Sequence, residues 1–349
     1  MKNITVQPDI TIRQAMKNLS HSGEKCLVII DKENTLLGTL SDGDLRKAIL
    51  KGKDMKNTIK NIYHSKPVVF IKGKYRIEEV KKIFTKNKFD LIPVVDNQGK
   101  LTDILFWETV LENGNNVKNY MLDVPIIIMA GGRGTRLEPF TKILPKALVP
   151  VQDKSIIEHI IERFTKVGCT DFHLTVNYKS GILKAYFEDL QPDYHMQFIE
   201  EQEPLGTAGS LRFLDKKFNK PFIVTNCDII IKIDYSKLYK FHQNGGYDVT
   251  LVASAKEYII PYGTCKLNSD GHLSHINEKP HYDFLINTGL YILNPDVLQL
   301  IPKNKFYHIT HLIEDVKNQG KKVGIYPIDD DAWIDVGQWA EYQKTVEKL

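Results

Sequence analysis

Two neighbouring glycines and two cationic residues follow an apolar run at the centre of the chain. Residues 126–151 are IIIMAGGRGTRLEPFTKILPKALVPV. The apolar run predicts a buried strand, and the glycines after it predict a sharp turn that exposes backbone N–H groups, which suits an anion. Arg136 and Lys146 are separated by nine residues that include Pro139 and Pro145, so a stiffened loop can hold both charges over one pocket. The candidate phosphate-binding residues are Gly131, Gly132, Gly134, Arg136 and Lys146.

This glycine-rich stretch allows two interpretations. The segment GRGTRL from Gly132 lacks the third glycine of a dinucleotide-binding fingerprint, which argues against a dinucleotide-dependent oxidoreductase. The stretch also lacks the Gly-Lys-Ser/Thr that closes a P-loop. It is therefore a phosphate loop of another kind, or a plain glycine turn after a strand.

Length, charge and cysteine content exclude several classes of protein. The 349 residues suffice for two or three domains, and the net charge of +4 is too small and dispersed to indicate a nucleic-acid or membrane partner. Because the sequence lacks a bilayer-length apolar run and an N-terminal signal segment, we expect a cytoplasmic soluble protein. The four cysteines are far apart, which predicts free, buried thiols rather than a zinc site or disulfides: Cys26, Cys169, Cys227 and Cys265.

The N-terminal region contains an internal repeat with a constant offset of 65 residues and no gap. The segment TIRQAMKNLSHSGEKCLVIIDKENTLLGTL from Thr11 aligns with RIEEVKKIFTKNKFDLIPVVDNQGKLTDIL from Arg76. Each copy predicts a helix, a strand, an aspartate-containing turn, a strand and a second helix. Two such units can bury against each other the apolar face that one alone leaves exposed.

The repeat resembles tandem CBS domains, whose two copies often bind a nucleotide in the cleft between them. The motif GTLSDGD carries the resemblance, and it implies that Ser41 and Asp44 hold the ribose of a regulatory nucleotide. In the second copy the offset places Phe106 and Thr109 at these positions, so at most one half-site keeps the pattern. A purely structural or dimerising pair is the alternative.

The region after the repeat alternates strands with helices. A polar, asparagine-rich segment, Glu112–Asp123, indicates a linker, and the alternation beyond it predicts a mostly parallel, doubly wound, Rossmann-like α/β sheet. The predicted domains are therefore a first CBS domain (1–57), a second CBS domain (58–118) and an α/β domain (124–349).

Two aspartates in this α/β domain are candidate metal ligands. Asp228 ends the apolar segment PFIVTNCD, where a carboxylate would project at the edge of the sheet that binds ligands, and Asp335 lies in AWIDVG. Two carboxylates with phosphate oxygens and water are a typical Mg²⁺ site, because this hard ion keeps several waters and takes one or two protein oxygens. We therefore predict Mg²⁺ as the cofactor. Either aspartate alone would instead suit a turn cap.

Five motifs of this domain occur in the order found in one enzyme family. They are MAGGRGTRLEPFTKILPKALVPV, EPLGTAGSL, NCDI, YGT…INEKP with NTGLYIL, and WIDVG. From about Val124 to Leu349 the chain resembles the nucleotide-sugar pyrophosphorylases, which are sugar-phosphate nucleotidyltransferases. The resemblance implies that a sugar 1-phosphate attacks the α-phosphorus of a nucleoside triphosphate and expels pyrophosphate. The catalytic residues that it implies are Arg136, Lys146, Asp228, Lys279 and Asp335.

The same resemblance assigns binding residues. It implies that Gly263, Glu278 and Asn287 contact sugar hydroxyls, and that Glu201, Gly206 and Thr207 join the glycine loop in binding the nucleotide. A carboxylate at Glu201 can accept from both N1–H and the exocyclic amine of guanine, whereas uracil and thymine present one donor there, so GTP is favoured. An acidic surface turn that includes Glu200 and Glu203 is the alternative.

A CBS pair ahead of a guanylyltransferase-like domain resembles the glucosamine-1-phosphate guanylyltransferases of bacterial legionaminic-acid biosynthesis. The resemblance implies that GTP and α-D-glucosamine 1-phosphate give GDP-glucosamine and pyrophosphate. The alternatives are a pyrophosphorylase of the GDP-mannose, GDP-heptose, UDP-sugar or dTDP-sugar type, and a non-catalytic nucleotide-sensing homologue. The retained cationic and acidic residues argue against the sensor. We expect a homo-oligomer.

Overall fold

The structure is a computed structural model that describes residues 4–87, 89–107, 110, 121–214, 216–339 and 341–343. The chain divides into two compact units, each described by itself. The N-terminal unit comprises Met1–Lys118 together with Ala255–Phe284, and we call the latter segment the arm. The C-terminal unit comprises Asn119–Ser254 and Leu285–Leu349. The grouping of the arm with the N-terminal unit differs from a continuous domain over 124–349, and the predicted domain boundaries stay a prediction.

The N-terminal unit confirms the internal repeat over three strands and one helix of each copy, whereas the second helix predicted for the second copy falls mostly outside the described residues. The first copy contains β1 (Thr5–Val6), α1 (Ile12–Ser22), β2 (Cys26–Ile30), β3 (Leu36–Ser41) and α2 (Asp42–Leu50). The second contains β4 (Phe70–Ile71), α3 (Ile77–Asn87), β5 (Leu91–Val95) and β6 (Leu101–Phe106). In each copy the first strand pairs parallel to the second, and the second pairs antiparallel to the third. Every shared strand boundary differs by the predicted offset.

The turns between the paired strands join the two copies symmetrically. The N–H of Leu36 donates to the carbonyl of Gly99 at 3.0 Å, and the N–H of Leu101 donates to the carbonyl of Asn34 at 2.9 Å. Within each turn an aspartate carboxylate, Asp31 or its repeat counterpart Asp96, accepts backbone N–H groups two and four residues further on. The aspartate of the repeat is thus a turn residue.

The C-terminal unit is built on a seven-stranded sheet with the order β11-β10-β7-β12-β17-β14-β18. Its strands are β7 (Ile126–Met129), β10 (Asp171–Val176), β11 (His195–Glu200), β12 (Phe222–Asn226), β14 (Val249–Ile259), β17 (His281–Leu293) and β18 (Val323–Asp329). Its helices are α4 (Ile156–Thr165), α5 (Ser180–Leu190), α6 (Tyr235–Gly245) and α7 (Ile309–Asn318). β7 pairs parallel with β10 and β12, β10 pairs parallel with β11, and β17 is antiparallel to β12. This confirms the mostly parallel α/β prediction.

The central strand β7 is buried on both faces, which explains its unbroken apolar sequence. Ile126 and Ile128 belong to one apolar cluster with α4, whereas Ile127 belongs to a second cluster with α7. Helices thus cover both faces of the sheet. Short strands complete the unit: β8 (Pro150–Val151) pairs with β9 (Lys154–Ser155), and β13 (Ile229–Ile231) pairs with β19 (Trp333–Asp335).

The arm consists of the outer parts of β14 and β17 and, between them, a hairpin. The hairpin pairs β15 (Thr264–Leu267) with β16 (Leu273–Asn277) in antiparallel register, and all five residues of β16 are exposed. Ala255 at the start of the arm is buried in the same apolar cluster as the core of the first repeat.

Two further expectations concern cysteines and membrane spans. All four cysteines are free, and three are buried as predicted, whereas Cys265 on β15 is exposed. The prediction of a buried thiol is wrong there because Cys265 and the two residues after it on β15 are all exposed. In the part of the chain that the structure describes, every helix is too short or too polar to cross a bilayer.

Candidate active site

The glycine-rich loop follows β7 and is held against the segment that carries Lys146. Gly134 has a φ of 67°, a left-handed conformation that favours glycine, and it precedes a short 3-10 turn, Thr135–Leu137. An added Cβ at Gly134 would lie 2.9 Å from Cβ of Lys146, and the hydroxyl of Thr141 donates to the Gly134 carbonyl at 2.9 Å. Glycine at this position therefore lets the lysine segment pack on the loop.

Asp228, Asp335 and Lys146 converge on Gly337. The sequence predicts Asp228 as the last residue of its strand, but β12 ends at Asn226, so Asp228 lies two residues further on, in the turn before β13. Asp335 ends β19. The antiparallel pairing of β13 with β19 sets Ile229 opposite Asp335 and so brings the two aspartates together. A Cβ added at Gly337 would overlap Oδ2 of Asp228 and would lie 2.9 Å from both Oδ1 of Asp335 and Nζ of Lys146.

An ion pair links the ammonium of Lys146 to Oδ2 of Asp228, with side chains 11% and 12% exposed. The N–H of Gly337 donates to Oδ1 of Asp335 at 2.8 Å, and the N–H of Val336 donates to the Asp228 carbonyl at 2.8 Å. Because two carboxylates repel each other when they share a site, the lysine charge offsets their repulsion.

A polar cavity of about 270 Å³ opens beside the two carboxylates. Its lining residues are Arg136, Asn226, Asp228, Ile229, Asn287, Thr288, Gly289, Tyr291, Trp333 and Asp335. The cavity therefore gathers the predicted catalytic residues Arg136, Asp228 and Asp335 and the predicted sugar-binding Asn287. The side chain of Asn287 donates to the Tyr291 hydroxyl at 2.8 Å and accepts the Gly289 N–H at 3.1 Å, so its amide is oriented.

Sequence reasoning missed several lining residues. Asn226 precedes the predicted metal ligand by two positions, and its side chain packs against Gly289, whose φ of 90° and lack of a Cβ make room for it. Tyr291 is buried, which raises the pKa of its phenol to about 12. The motifs NCDI and NTGLYIL contained both residues, but only the antiparallel pairing of β12 with β17 brings them together.

Glu201 is buried between the glycine loop and the EPLGTAG segment. An added Cβ at Gly131 would lie 3.2 Å from Oε1 of Glu201, and the N–H of Leu205 donates to Oε2 at 3.1 Å. Burial raises the pKa of the Glu201 carboxyl, against the lowering effect of hydrogen bonds from Leu205 and Ser210. This carboxylate anchors its own loop, a role that the sequence did not predict. Glu200, the last residue of β11, is exposed and forms an ion pair with Lys184.

Gly206 and Thr207 belong to a loop that packs on the segment before α7. Gly206 has a φ of 80°, and a Cβ there would lie 2.8 Å from the carbonyl oxygen of Tyr307. That carbonyl accepts the N–H groups of Ala208 and Gly209, and the Thr207 hydroxyl accepts the N–H of Ile309 at 3.0 Å. The glycines of this motif thus serve backbone packing.

Gly263, Glu278 and Lys279 lie in the arm, within the N-terminal unit. An added Cβ at Gly263 would lie 2.9 Å from Oε2 of Glu278, so these two predicted sugar-binding residues are neighbours. Lys279 is exposed and has a φ of 43°, an uncommon conformation for a lysine. Their roles toward a sugar phosphate stay predictions.

Ser41 and Asp44 form the N-terminal capping box of α2. The Ser41 hydroxyl donates to Oδ2 of Asp44 at 2.6 Å and accepts the Asp44 N–H at 3.2 Å. In the second copy, Phe106 ends β6 at the serine position, and Thr109 lies outside the described residues. The observed contacts give this pair a structural role, and nucleotide binding stays a prediction.

Comparison with known proteins extends these observations. Residues 126–349 match the nucleotidyl transferase family, and residues 1–51 and 59–113 match the CBS domain family. The chain is 35% identical over 223 residues to mannose-1-phosphate guanyltransferase 2 of Candida glabrata, which is 61% of this chain and 61% of that protein. The chain thus spans about 61% of the length of this curated relative.

Solved structures of HddC from Yersinia pseudotuberculosis share the fold. One structure has a TM-score of 0.51 and 27% identity, covering 64% of this chain and 99% of that chain. Another, complexed with GMP-PN, has a TM-score of 0.50 and 26% identity over the same fractions.

Proposed function

The chain belongs to the nucleotidyl transferase family, and from this premise we propose that it is a sugar-1-phosphate guanylyltransferase. It would form a GDP-sugar and pyrophosphate from GTP and a sugar 1-phosphate. The observation that carries the proposal is the convergence of Asp228, Asp335 and Lys146 on Gly337, beside a cavity that Arg136 lines. A cytoplasmic location, where GTP is made, is part of the proposal.

Positioning and charge neutralisation supply the catalysis in this reaction. A phosphate oxygen of the sugar 1-phosphate forms a bond to the α-phosphorus of GTP, and the bond from that phosphorus to the β-phosphate bridging oxygen breaks in line. Arg136 and Lys146 offset the charge that develops on the leaving pyrophosphate. Backbone N–H groups of Gly131, Gly132 and Gly134 hold its oxygens.

The residues at Gly337 fit a hard divalent cation, and we propose Mg²⁺. Both donors, Asp228 and Asp335, are carboxylates, and among the described residues no third His, Cys, Asp or Glu joins them as a metal-binding group. Such a pair suits an ion that keeps water and phosphate oxygens in its remaining positions. The ion would supply Lewis-acid charge stabilisation to the phosphates. Lys146 then shares the site as a second cation.

Guanine is the base that we propose. Glu201 offers a carboxylate beside Gly131, and a carboxylate matches the two donors on the guanine edge. Two similar proteins support this choice: the relative from Candida glabrata is a mannose-1-phosphate guanyltransferase, and HddC was solved in complex with GMP-PN.

Two sugars are candidates. α-D-Glucosamine 1-phosphate is the substrate implied by the resemblance to enzymes of legionaminic-acid biosynthesis, and mannose 1-phosphate is the substrate in the relative's name. Asn287, whose amide is oriented by Tyr291 and Gly289, is the described residue that would contact a sugar hydroxyl in the cavity.

Pyrophosphate release from GTP, UTP, CTP and dTTP, each with a panel of sugar 1-phosphates and Mg²⁺, tests the proposal. We expect release with GTP that depends on the added sugar phosphate, and the best sugar identifies the acceptor. Binding of GTP without turnover on any sugar 1-phosphate would instead favour a nucleotide-sensing homologue and refute the proposal.

A further inference from the structure

The first CBS repeat holds the arm through side chains near the start of α1. The Nη1 group of Arg13 donates to the carbonyl of Ala255 at 3.1 Å, and its Nη2 group pairs with Oδ1 of Asp283. The side chains of this ion pair are 24% and 14% exposed, so both charges are largely removed from water. Asp283 lies on β17 and Ala255 on β14, so the guanidinium of Arg13 contacts both of these strands of the arm.

A second group of contacts also joins the first repeat to the arm. Lys56 donates from Nζ to the carbonyl of His281 at 3.0 Å, and Nδ1 of His281 lies 2.9 Å from Oε1 of Glu257. The hydrogen bond from His281 lowers the pKa of the Glu257 carboxyl, and the nearby charges of Arg13 and Lys56 act in the same direction. The positive charges of Arg13 and Lys56 in the repeat thus lie near the carboxylate of Glu257 in the arm.

Among the described residues, these contacts with the arm come from the first copy of the repeat. At the offset of 65 residues the counterpart of Arg13 is Glu78, which is exposed, and the position that corresponds to Lys56 lies beyond the predicted second CBS domain, at Met121. A contact needed for the repeat to fold would be expected in both copies. Since Glu78 replaces Arg13 in the second copy, the contacts of Arg13 serve the arm and are not required by the fold of the repeat.

Residues of the proposed sugar site lie on β17 and just before it. Lys279 precedes His281 by two residues, and Asn287 follows Asp283 by four residues on β17. The contacts of Arg13 and Lys56 are therefore made to β17, the strand that bears Asn287 and that directly follows the turn with Lys279.

We propose that Arg13, through Asp283 and Ala255, is a positioning residue that holds the arm in the conformation in which Lys279 serves the sugar 1-phosphate. The inference rests on the proposed function. The first CBS repeat then contributes to turnover by holding the arm that bears Lys279.

The test uses the full-length chain with Arg13→Ala, Asp283→Asn and the double variant. We expect each single variant to lower kcat/KM for the sugar 1-phosphate about ten-fold, with KM for GTP changed less than about two-fold, because misplacement affects the positioned substrate. The double variant should be no worse than Arg13→Ala, because Asp283→Asn removes only the ion pair that Arg13→Ala already removes. Lys17→Ala, which removes an exposed charge one turn further along α1, is the matched control and should behave as the native chain.

Hydrogen exchange supplies a readout that does not need turnover. Arg13→Ala and Asp283→Asn should each speed exchange of amides in β16 and in Tyr282–Phe284, while β2 and β5 keep their native protection. Unchanged exchange in the arm, equal loss of protection in β2 and β5, or additive effects in the double variant would overturn the proposal. If the native chain made no GDP-sugar, the proposed function would fail, and the exchange result would still decide whether Arg13 holds the arm.

Discussion

The absence of a side chain at Gly337 lets two carboxylates and a lysine share one site. Asp228, Asp335 and Lys146 come from three distant parts of the chain, and each approaches the face of Gly337 where a Cβ would stand. The sequence predicted the three side chains from their motifs. It could not predict Gly337 as their meeting point, because a glycine has no chemistry of its own and its value depends on what packs against it.

Gly337→Ala should remove most turnover without unfolding the chain. The added methyl group would overlap Oδ2 of Asp228 and press on Asp335, so the carboxylates must move apart. We expect kcat to fall about 100-fold, by the sensitivity of positioned groups to displacement of about 1 Å. Gly181→Ala on α5, where a Cβ meets nothing within 4 Å, is the control. Native kcat in Gly337→Ala would show that the site tolerates displaced carboxylates and is not catalytic.

Glu201 should set the choice of base in a pH-dependent way. Glu201→Gln removes one acceptor and should narrow the preference for GTP over UTP by about 1–3 kcal/mol, by analogy with bidentate base contacts. Because burial raises the pKa of Glu201, its carboxylate protonates at a higher pH than an exposed glutamate does. The native preference should therefore weaken as pH falls through this raised pKa, whereas the Gln variant should show little change. Ratios of kcat/KM for GTP and UTP between pH 5 and 8 measure both, and equal use of UTP by the native chain would refute guanine reading.

At the scale of elements, loops are positioned by backbone packing that motifs do not reveal. The LGTAG glycines resemble a ligand-binding turn, yet Gly206 and Gly209 make room for the backbone of Lys305 and Tyr307. The segment before α7 therefore supports the proposed nucleotide loop. No sequence signal pointed to it, because its contribution is two carbonyl groups, which any residue type supplies.

Gly209→Ala should destabilise this loop and weaken GTP binding. Its Cβ would lie 2.7 Å from Cβ of Leu205 and 2.8 Å from the carbonyl oxygen of Lys305. We expect a loss of about 1–3 kcal/mol in the free energy of unfolding, as for overpacked core positions, with a raised KM for GTP. Denaturant titration and initial rates measure these quantities. A variant with native stability would show that the segment before α7 yields easily and does not support the loop.

The elements that the sequence predicted share strong local patterns. The repeat was predicted because its two copies preserve strand and turn positions at one offset. β7 and β12 were predicted because buried parallel strands have nearly continuous apolar runs. The pair β13 and β19 was not predicted, since each has three residues and their pairing joins distant segments. The pairing of β13 with β19 brings Asp228 and Asp335 together. The site therefore depends on the strands that were hardest to predict.

At the scale of the whole molecule, contacts group the arm with the CBS repeats although the arm falls within the nucleotidyl transferase match. This grouping depends on Arg13, Lys56 and the burial of Ala255, which are long-range contacts without a sequence pattern. The asymmetry of the repeat was visible beforehand. Ser41 and Asp44 of the first copy form a helix-capping box, and they are also the residues predicted to bind a nucleotide.

Asp44→Ala separates the two meanings. Loss of the capping box should cost about 0.5–2 kcal/mol in the free energy of unfolding. If the half-site also binds a regulatory nucleotide, calorimetry with adenine and guanine nucleotides and CMP-sugars should give one ligand per native chain and none for Asp44→Ala. Gly23→Ala, which strains the left-handed cap of α1 away from this half-site, controls for lost stability. Native affinity in Asp44→Ala would refute the half-site, and it would leave the CBS pair as support for the arm.

The rate of sugar-dependent pyrophosphate release from GTP, in the native chain and in Asp335→Asn at saturating Mg²⁺, tests the central claim most directly. The substitution keeps the shape of the side chain and removes a charge that the proposed metal and the phosphates require. We predict that the native chain turns over only when a sugar 1-phosphate is present, and that Asp335→Asn loses at least about 100-fold in kcat while remaining folded. The same loss is expected for Asp228→Asn. Turnover of Asp335→Asn at the native rate would contradict the account.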